Sequence, residues 1–271
     1  MAKSLAELKY EIAEANRICA NEGVVDAFGH VSARHPENPN RYFLSRSRAP
    51  ELIEPSDIYE FDLDSEAIGN PSAMMYSERV IHGEIYKARP DVMAVCHHHS
   101  PAILSYCITG EKLLPVYHLG AVIGHDVPFW DQRDEFGDTN LLVRFPEEGA
   151  SLARALGNNP LVLMNRHGAT VVGGSLRQLV FRTIYSCRNA EYQTRAKLVG
   201  KIDTLSPGEI DMAGKIQDQP NGVSRAYEQW IMRLAKAGGA PPRGRSSSAT
   251  GSAARKKSAP AAKKKSAKKR R

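Results

Sequence analysis

Two histidines set two residues apart, His97 and His99 in Val95-Cys96-His97-His98-His99-Ser100, are the residues of this chain best placed to do chemistry. The run ahead of them, Val92 to Val95, is apolar, and Pro90-Asp91 mark the turn into it, so the segment reads as a strand. Side chains alternate faces along a strand, which points His97 and His99 one way and His98 the other. Two neutral imidazoles on one face are half of a metal site; the same pattern also serves as a polar strand rim. Glu78, in Tyr76-Ser77-Glu78-Arg79, falls in the first turn of a predicted helix. There the helix dipole favours a carboxylate, whether as a partner in such a site or as a solvated cap. His167, in Asn165-Arg166-His167-Gly168, lies at a strand end between two apolar runs. It either projects into a cleft or closes a hydrogen-bonded turn.

The elements that must position these side chains read as one α/β domain. An amphipathic helix covers 1–22, with Ser4 and Glu7 as a capping box and Gly23 as its stop. Short strands are predicted at 24–28, 30–35, 42–44 and 58–62. Ser77 is the expected N-cap of a helix that runs on Val80, Ile81, Ile85 and Tyr86 to Arg89. The strand carrying His97 leads into a helix from Ser100, with Pro101 at its first position. Further strands are predicted at 113–118, 121–128, 161–164 and 170–172, and helices at 147–156, 175–199 and 226–237. His82, four residues after Glu78 and so on the same helix face, is expected to support the site or the core rather than to be a ligand. His98 is expected to face the core or a subunit contact.

Ser77-Glu78, His97-x-His99 and His167-Gly168 match, in order and approximate spacing, the metal-ligand motifs of the class II aldolase/adducin family. Gly29-His30-Val31-Ser32 likewise resembles that family's Gly-Asn-(Val/Ile)-Ser substrate loop. The resemblance covers roughly residues 5 to 200. It implies an α/β fold of three αβα layers, with a central, mostly antiparallel sheet and helices on both faces. It also implies homotetramers and one divalent metal ion per subunit, Zn2+ or Mn2+, with Glu78, His97, His99 and His167 as the ligand set. Glu78 would then bind the metal or act as acid/base.

The chain departs from the sugar-phosphate members where they hold phosphate. Their small-residue loop corresponds here to Leu44-Ser45-Arg46-Ser47-Arg48-Ala49-Pro50, their paired serines to Tyr76-Ser77, and their asparagine to His30. Bulky cations thus replace a glycine that lets backbone N–H groups wrap a phosphate. Guanidinium groups instead clamp planar carboxylates through two parallel hydrogen bonds. His30, Ser45, Arg46, Ser47 and Arg48 are therefore the expected substrate contacts, and pairing of either arginine with Glu51 or Glu54 is the plainer alternative. Together with Gly137-Asp138-Thr139, the pattern resembles the family's decarboxylase branch, which acts on hydroxylated aromatic or ring-opened dicarboxylates.

Decarboxylation and retro-aldol cleavage share one requirement: each breaks a carbon–carbon bond and leaves an electron pair beside a carbonyl or an enolisable hydroxyl. A divalent ion chelated by that oxygen stabilises the resulting enolate. Imidazole ligands suit zinc, while a carboxylate and an expanded shell suit manganese. The candidates for protonating the carbanion are Tyr117 and His118, which the resemblance sets where family aldolases carry a catalytic tyrosine, together with His30. By resemblance too, Trp230 and the 226–237 helix are expected to close the site of a neighbouring subunit. The expected activity is that of a divalent-metal-dependent carbon–carbon lyase that decarboxylates a carboxylated small molecule. The alternatives are a class II aldolase acting on a hydroxy-carbonyl compound, less expectedly a sugar phosphate, and a non-catalytic adducin-like binding module.

Bulk properties agree with a soluble metalloenzyme. The 271 residues, 42% of them hydrophobic, suffice for one sizeable core, and no apolar run approaches the roughly 20 residues of a membrane span. No signal peptide is visible, and Cys19, Cys96, Cys107 and Cys187 show no paired spacing, so a reduced, cytoplasmic setting is expected. The formal charge of +7 is misleading. Residues 240–271 carry 12 of the 37 Lys and Arg and none of the 30 Asp and Glu, so the rest of the chain has 25 basic residues against 30 acidic ones. We therefore expect a catalytic domain over 1–238 and a disordered basic tail over 239–271, whose composition cannot form a core. Such a tail would bind polyanions non-specifically and in a salt-dependent way, or simply aid solubility.

Overall fold

The computed structural model of the protein describes residues 4–217 and 219–243. The chain opens with α1 (Leu5–Asn21), where Ser4 Oγ accepts from the Glu7 N–H at 3.3 Å and the Glu7 carboxylate accepts from the Ser4 N–H at 2.8 Å. This is the capping box expected there. Three strands follow, β1 (His30–Arg34), β2 (Arg41–Ser45) and β3 (Ile58–Asp62), then α2 (Arg79–Ala88), β4 (Ala94–His98) and α3 (Pro101–Thr109). The second half contains β5 (Phe129–Trp130), the single turn α4 (Arg133–Phe136), α5 (Pro146–Leu156), β6 (Leu161–Met164) and β7 (Gly168–Gly173). It ends with α6 (Leu176–Val199), α7 (Pro207–Gln217) and α8 (Pro220–Lys236).

The strands form one sheet in the order β3-β2-β1-β4-β7-β6-β5, antiparallel throughout except for the β5–β6 pair. Strand alternation divides the core in two. Val31, Ala94, Cys96 and Val171 pack beneath α1, α3, α6 and α8, while Tyr42, Leu44, Val95 and Val172 pack beneath α2 and α5. The expected three layers, with a mostly antiparallel sheet between helices, are present. His98, fully buried, lies on the Cys96 face, and His97 faces α2 with Val95.

Several local expectations are corrected. Residues 24–28 form no strand, because the Val24 and Val25 N–H groups close the end of α1 on the Cys19 carbonyl. Residues 113–118 form no strand. The Asn189 and Gln193 side chains of α6 take the ladder's place there, accepting from the Val116 and Leu114 N–H groups and donating to the Leu114 and Lys112 carbonyls. Where a strand was expected at 121–128, a 3-10 helix covers His118–Ile123. Glu78, not Ser77, is the N-cap of α2. Trp230 does not reach outward: it is 1% exposed and packs on Phe181 and Tyr185, with ring centroids at 6.3 and 5.9 Å. It is therefore spent on this chain's own core. The basic tail lies outside the described residues beyond Arg243, whose guanidinium sits 4.8 Å from the Tyr10 ring centroid.

Candidate metal centre and substrate cavity

Three segments far apart in sequence bring four polar side chains together at the ends of the central strands β4 and β7. Glu78 caps α2, His97 is the penultimate residue of β4, His99 follows that strand, and His167 sits in the tight turn between β6 and β7. Gly168 makes this turn possible: a Cβ there would lie 2.3 Å from the His98 carbonyl oxygen and 2.9 Å from His99 Cδ2. One ligand atom from each of the four residues lies within 4.8 Å of all the others. His97 Nε2 is 3.0 Å from His99 Nε2 and 3.8 Å from Glu78 Oε2, and His167 Nε2 is 3.4 Å from Glu78 Oε1.

The electrostatics suit a cation. Burial holds His97 and His99 below the ordinary imidazole range, and it brings His167 down to about 4, with neighbouring imidazoles adding to the effect at His97 and His167. All three rings are therefore neutral and offer lone pairs. Burial pushes the Glu78 carboxyl up to about 7, opposed by the Val143 N–H that donates to Oε1 at 3.0 Å and reinforced by the charge of Glu148. A carboxylate held uncomfortably in a dry pocket beside three converging neutral imidazoles lacks a positive charge. Three nitrogens and one oxygen are a donor set that fits a divalent ion. His97 Nδ1 is 3.3 Å from Thr170 Oγ1, the kind of outer hydrogen bond that fixes a ligand ring.

A cavity of about 640 Å³ opens over this cluster. Of the expected substrate contacts, His30, Ser47 and Arg48 line it, and Ser45 and Arg46 do not. Ser45 is fully buried in β2. Both arginines meet one carboxylate that the sequence did not suggest: Asp57 accepts from Arg46 Nε at 2.6 Å and from Arg48 Nη1 at 2.5 Å. Burial alone would raise Asp57, but the Glu54 N–H and the two guanidiniums outweigh it and hold the carboxyl below its ordinary range. Glu54 is a distant second partner of Arg48 at 3.9 Å. Phe28, Tyr76, Asn140, Leu142 and Arg166 also line the cavity. Of these, exposed Arg166 is the cation that sequence reasoning missed, although it adjoins His167.

Tyr117 and His118 do not line this cavity. Tyr117 packs edge-on against Tyr192 of α6 at 5.0 Å, and the His118 carbonyl accepts from the Gln217 side chain of α7. His82 is no ligand. It is buried and hydrogen-bonded to His30 and Ser32, in keeping with its expected supporting role.

The family model for the class II aldolase and adducin N-terminal domain matches residues 10–194. The chain is 33% identical over 237 residues to decarboxylase tropJ of Talaromyces stipitatus, covering 79% of this chain and 89% of that protein. It is 32% identical over 192 residues to 3,4-dihydroxyphthalate decarboxylase of Arthrobacter keyseri, covering 64% and 72%. Among solved structures, L-fuculose 1-phosphate aldolase from Glaciozyma antarctica superposes with a TM-score of 0.74 at 22% identity, covering 89% of this chain and 95% of that one, a likeness of fold. Decarboxylases and class II aldolases are both lyases, so the family match and the two decarboxylase relatives place the chain among enzymes. With the family model spanning most of its length and the site motifs on the expected elements, the chain belongs to the class II aldolase and adducin family.

Proposed function

We propose that this protein is a divalent-metal-dependent carbon–carbon lyase that decarboxylates a hydroxylated aromatic or ring-opened dicarboxylate. The observation that carries this reading is the Glu78–His97–His99–His167 cluster opening directly into a cavity edged by Arg48 and Arg166. When bound, the ion supplies Lewis acidity to a substrate oxygen as charge builds up on it. The rest falls to side chains. Arg48, held in place by Asp57, has donors left to clamp a carboxylate, and Arg166 lies across the same opening. Aromatic Phe28 and Tyr76 in the lining suit a planar ring rather than a flexible sugar phosphate. Glu78 borders the cavity and is the group we assign to moving a proton to the carbon that loses CO2, with His30 as a hydrogen-bonding group beside it. Tyr117 and His118, remote from their own chain's cavity, could serve only across a subunit boundary, which the proposed homotetramer would supply.

Two relatives named as decarboxylases, one of them of 3,4-dihydroxyphthalate, favour decarboxylation over retro-aldol cleavage, and the cationic loop in place of a phosphate loop favours it again. The four cysteines are buried and unpaired, consistent with the cytoplasmic setting we assign. The first test is metal content per subunit by elemental mass spectrometry, on wild type and His167→Ala together. About one zinc or manganese ion per wild-type subunit, lost in the variant, is the expected result. Neither protein taking up metal after reloading would point instead to a binding module.

A further inference from the structure

His30 carries a buried hydrogen-bond chain behind it that the lyase reading does not use. His30 Nδ1 lies 2.7 Å from His82 Nε2, His82 Nδ1 lies 2.6 Å from Ser32 Oγ, and Ser32 Oγ lies 2.8 Å from Tyr86 Oη. All four side chains are 1% exposed or less. The far nitrogen, His30 Nε2, is buried without a hydrogen-bond partner among the described residues, and His30 lines the cavity between the rings of Tyr76 and His97. The chain arises from simple periodicities. His30 and Ser32 share a face of β1, and His82 and Tyr86 stand one turn apart on α2.

Such a chain has two possible polarities, and its end decides between them. If His30 Nδ1 donated to His82, then His82 Nδ1 would donate to Ser32, and the Ser32 and Tyr86 hydroxyls would have two hydrogens for the one contact between them, leaving one hydrogen without an acceptor among the described residues. If Tyr86 donates to Ser32, every link is satisfied: Ser32 donates to His82 Nδ1, and His82 Nε2–H donates to His30 Nδ1. Within this chain, the donor left over is then His30 Nε2–H, on the ring that lines the cavity. A buried unmet hydroxyl costs enough to favour the second polarity by roughly tenfold or more. Both rings are buried and bond only to neutral groups, each nitrogen of His82 and Nδ1 of His30 having one partner, which leaves each ring neutral with one tautomer.

We propose that Tyr86, Ser32 and His82 lock His30 in its Nε2–H tautomer, making it a fixed hydrogen-bond donor that selects substrates presenting an acceptor oxygen, a carboxylate or phenolic oxygen, at that point of the cavity. His82, Ser32 and Tyr86 are positioning residues. Only the statement of what meets the donor rests on the lyase reading; the tautomer does not.

The test is nitrogen-15 NMR of the imidazole rings in the full-length protein as isolated, labelled at histidine, with His30→Asn identifying the His30 signals. We expect a protonated Nε2 and an unprotonated Nδ1 on His30, and a protonated Nδ1 there would overturn the proposal. In His82→Phe, at unchanged metal content, a population with the Nδ1 proton should appear. KM for a carboxylated substrate should rise about tenfold while kcat stays within about threefold, as loss of one binding donor predicts. An unchanged tautomer and unchanged KM in that variant would equally overturn the lock. A wild type with the expected tautomer but neither metal nor turnover would leave the lock standing and sink the lyase reading instead.

Discussion

The two arginines of the Ser45–Glu51 run look equivalent in sequence and are not equivalent in the fold. Both bond to Asp57, but only Arg48 lines the cavity. Arg48→Ala should therefore raise KM for a dicarboxylate about tenfold, near the loss expected for one charge-assisted contact. Arg46→Ala should raise it no more than about threefold, since that side chain acts only through Asp57. Steady-state kinetics on the pair checks this, and equal effects would undo the assignment. Titration gives a second expectation. Burial lowers His30, His97 and His99, and takes His82 and His98 to about 3 and His167 to about 4, against an ordinary value of 6.5. Between pH 6.5 and 4 the unfolded chain thus binds protons that the folded chain refuses, so stability falls as pH falls. Glu78, raised to about 7, acts in the opposite sense, its contribution being lost as pH rises from 4.5 to 7. Six rings outweigh one carboxyl, and the urea midpoint of metal-free protein should drop clearly between pH 7 and pH 5.

The turn between β6 and β7 is the element on which the centre most depends. His167 reaches its partners because Gly168 lets β7 pass against the end of β4. Gly168→Ala must displace the His98 carbonyl or the His99 ring, so we expect a loss of about 1–3 kcal/mol of stability, in the range of overpacking substitutions. Metal uptake should weaken with it. Thermal unfolding and metal titration of the same variant test both effects, and normal uptake would show that the turn has slack. By contrast, α1 is secured locally by its Ser4–Glu7 capping box and stands away from the cluster. Ser4→Ala should cost about 1 kcal/mol and leave metal uptake unchanged.

For the molecule as a whole, contacts with the body of the fold extend past residue 238, where composition sets the end of the domain. Arg17 donates to the Gly239 carbonyl at 2.9 Å, and Arg243 lies over Tyr10. We therefore propose truncating after Arg243, which keeps both contacts. Removing 244–271 should leave the thermal midpoint, metal content and turnover unchanged while abolishing salt-dependent retention on heparin or nucleic acid. Loss of turnover on truncation would make the tail part of the catalytic unit. Among the described residues no helix is long and apolar enough to cross a membrane.

What could be read from the chain alone was whatever rests on local periodicity and residue chemistry. The capping box of α1, the alternation that turns His97 and His98 to opposite faces, and the strands carrying His30, His97 and the end before His167 all follow from near neighbours. The motif residues Glu78, His97, His99 and His167 could be named together only by resemblance, because nothing in their spacing shows that a cap, a strand end and a turn converge. Tertiary structure alone decided the rest. Asp57 claims both arginines across a chain reversal, and Asn189 and Gln193 replace a strand partner for 113–118 from a helix more than seventy residues away. Trp230 is buried because α8 folds back on α6. Each outcome is set by which polar or apolar group arrives opposite another, and that depends on the packing of whole elements rather than on any stretch of sequence.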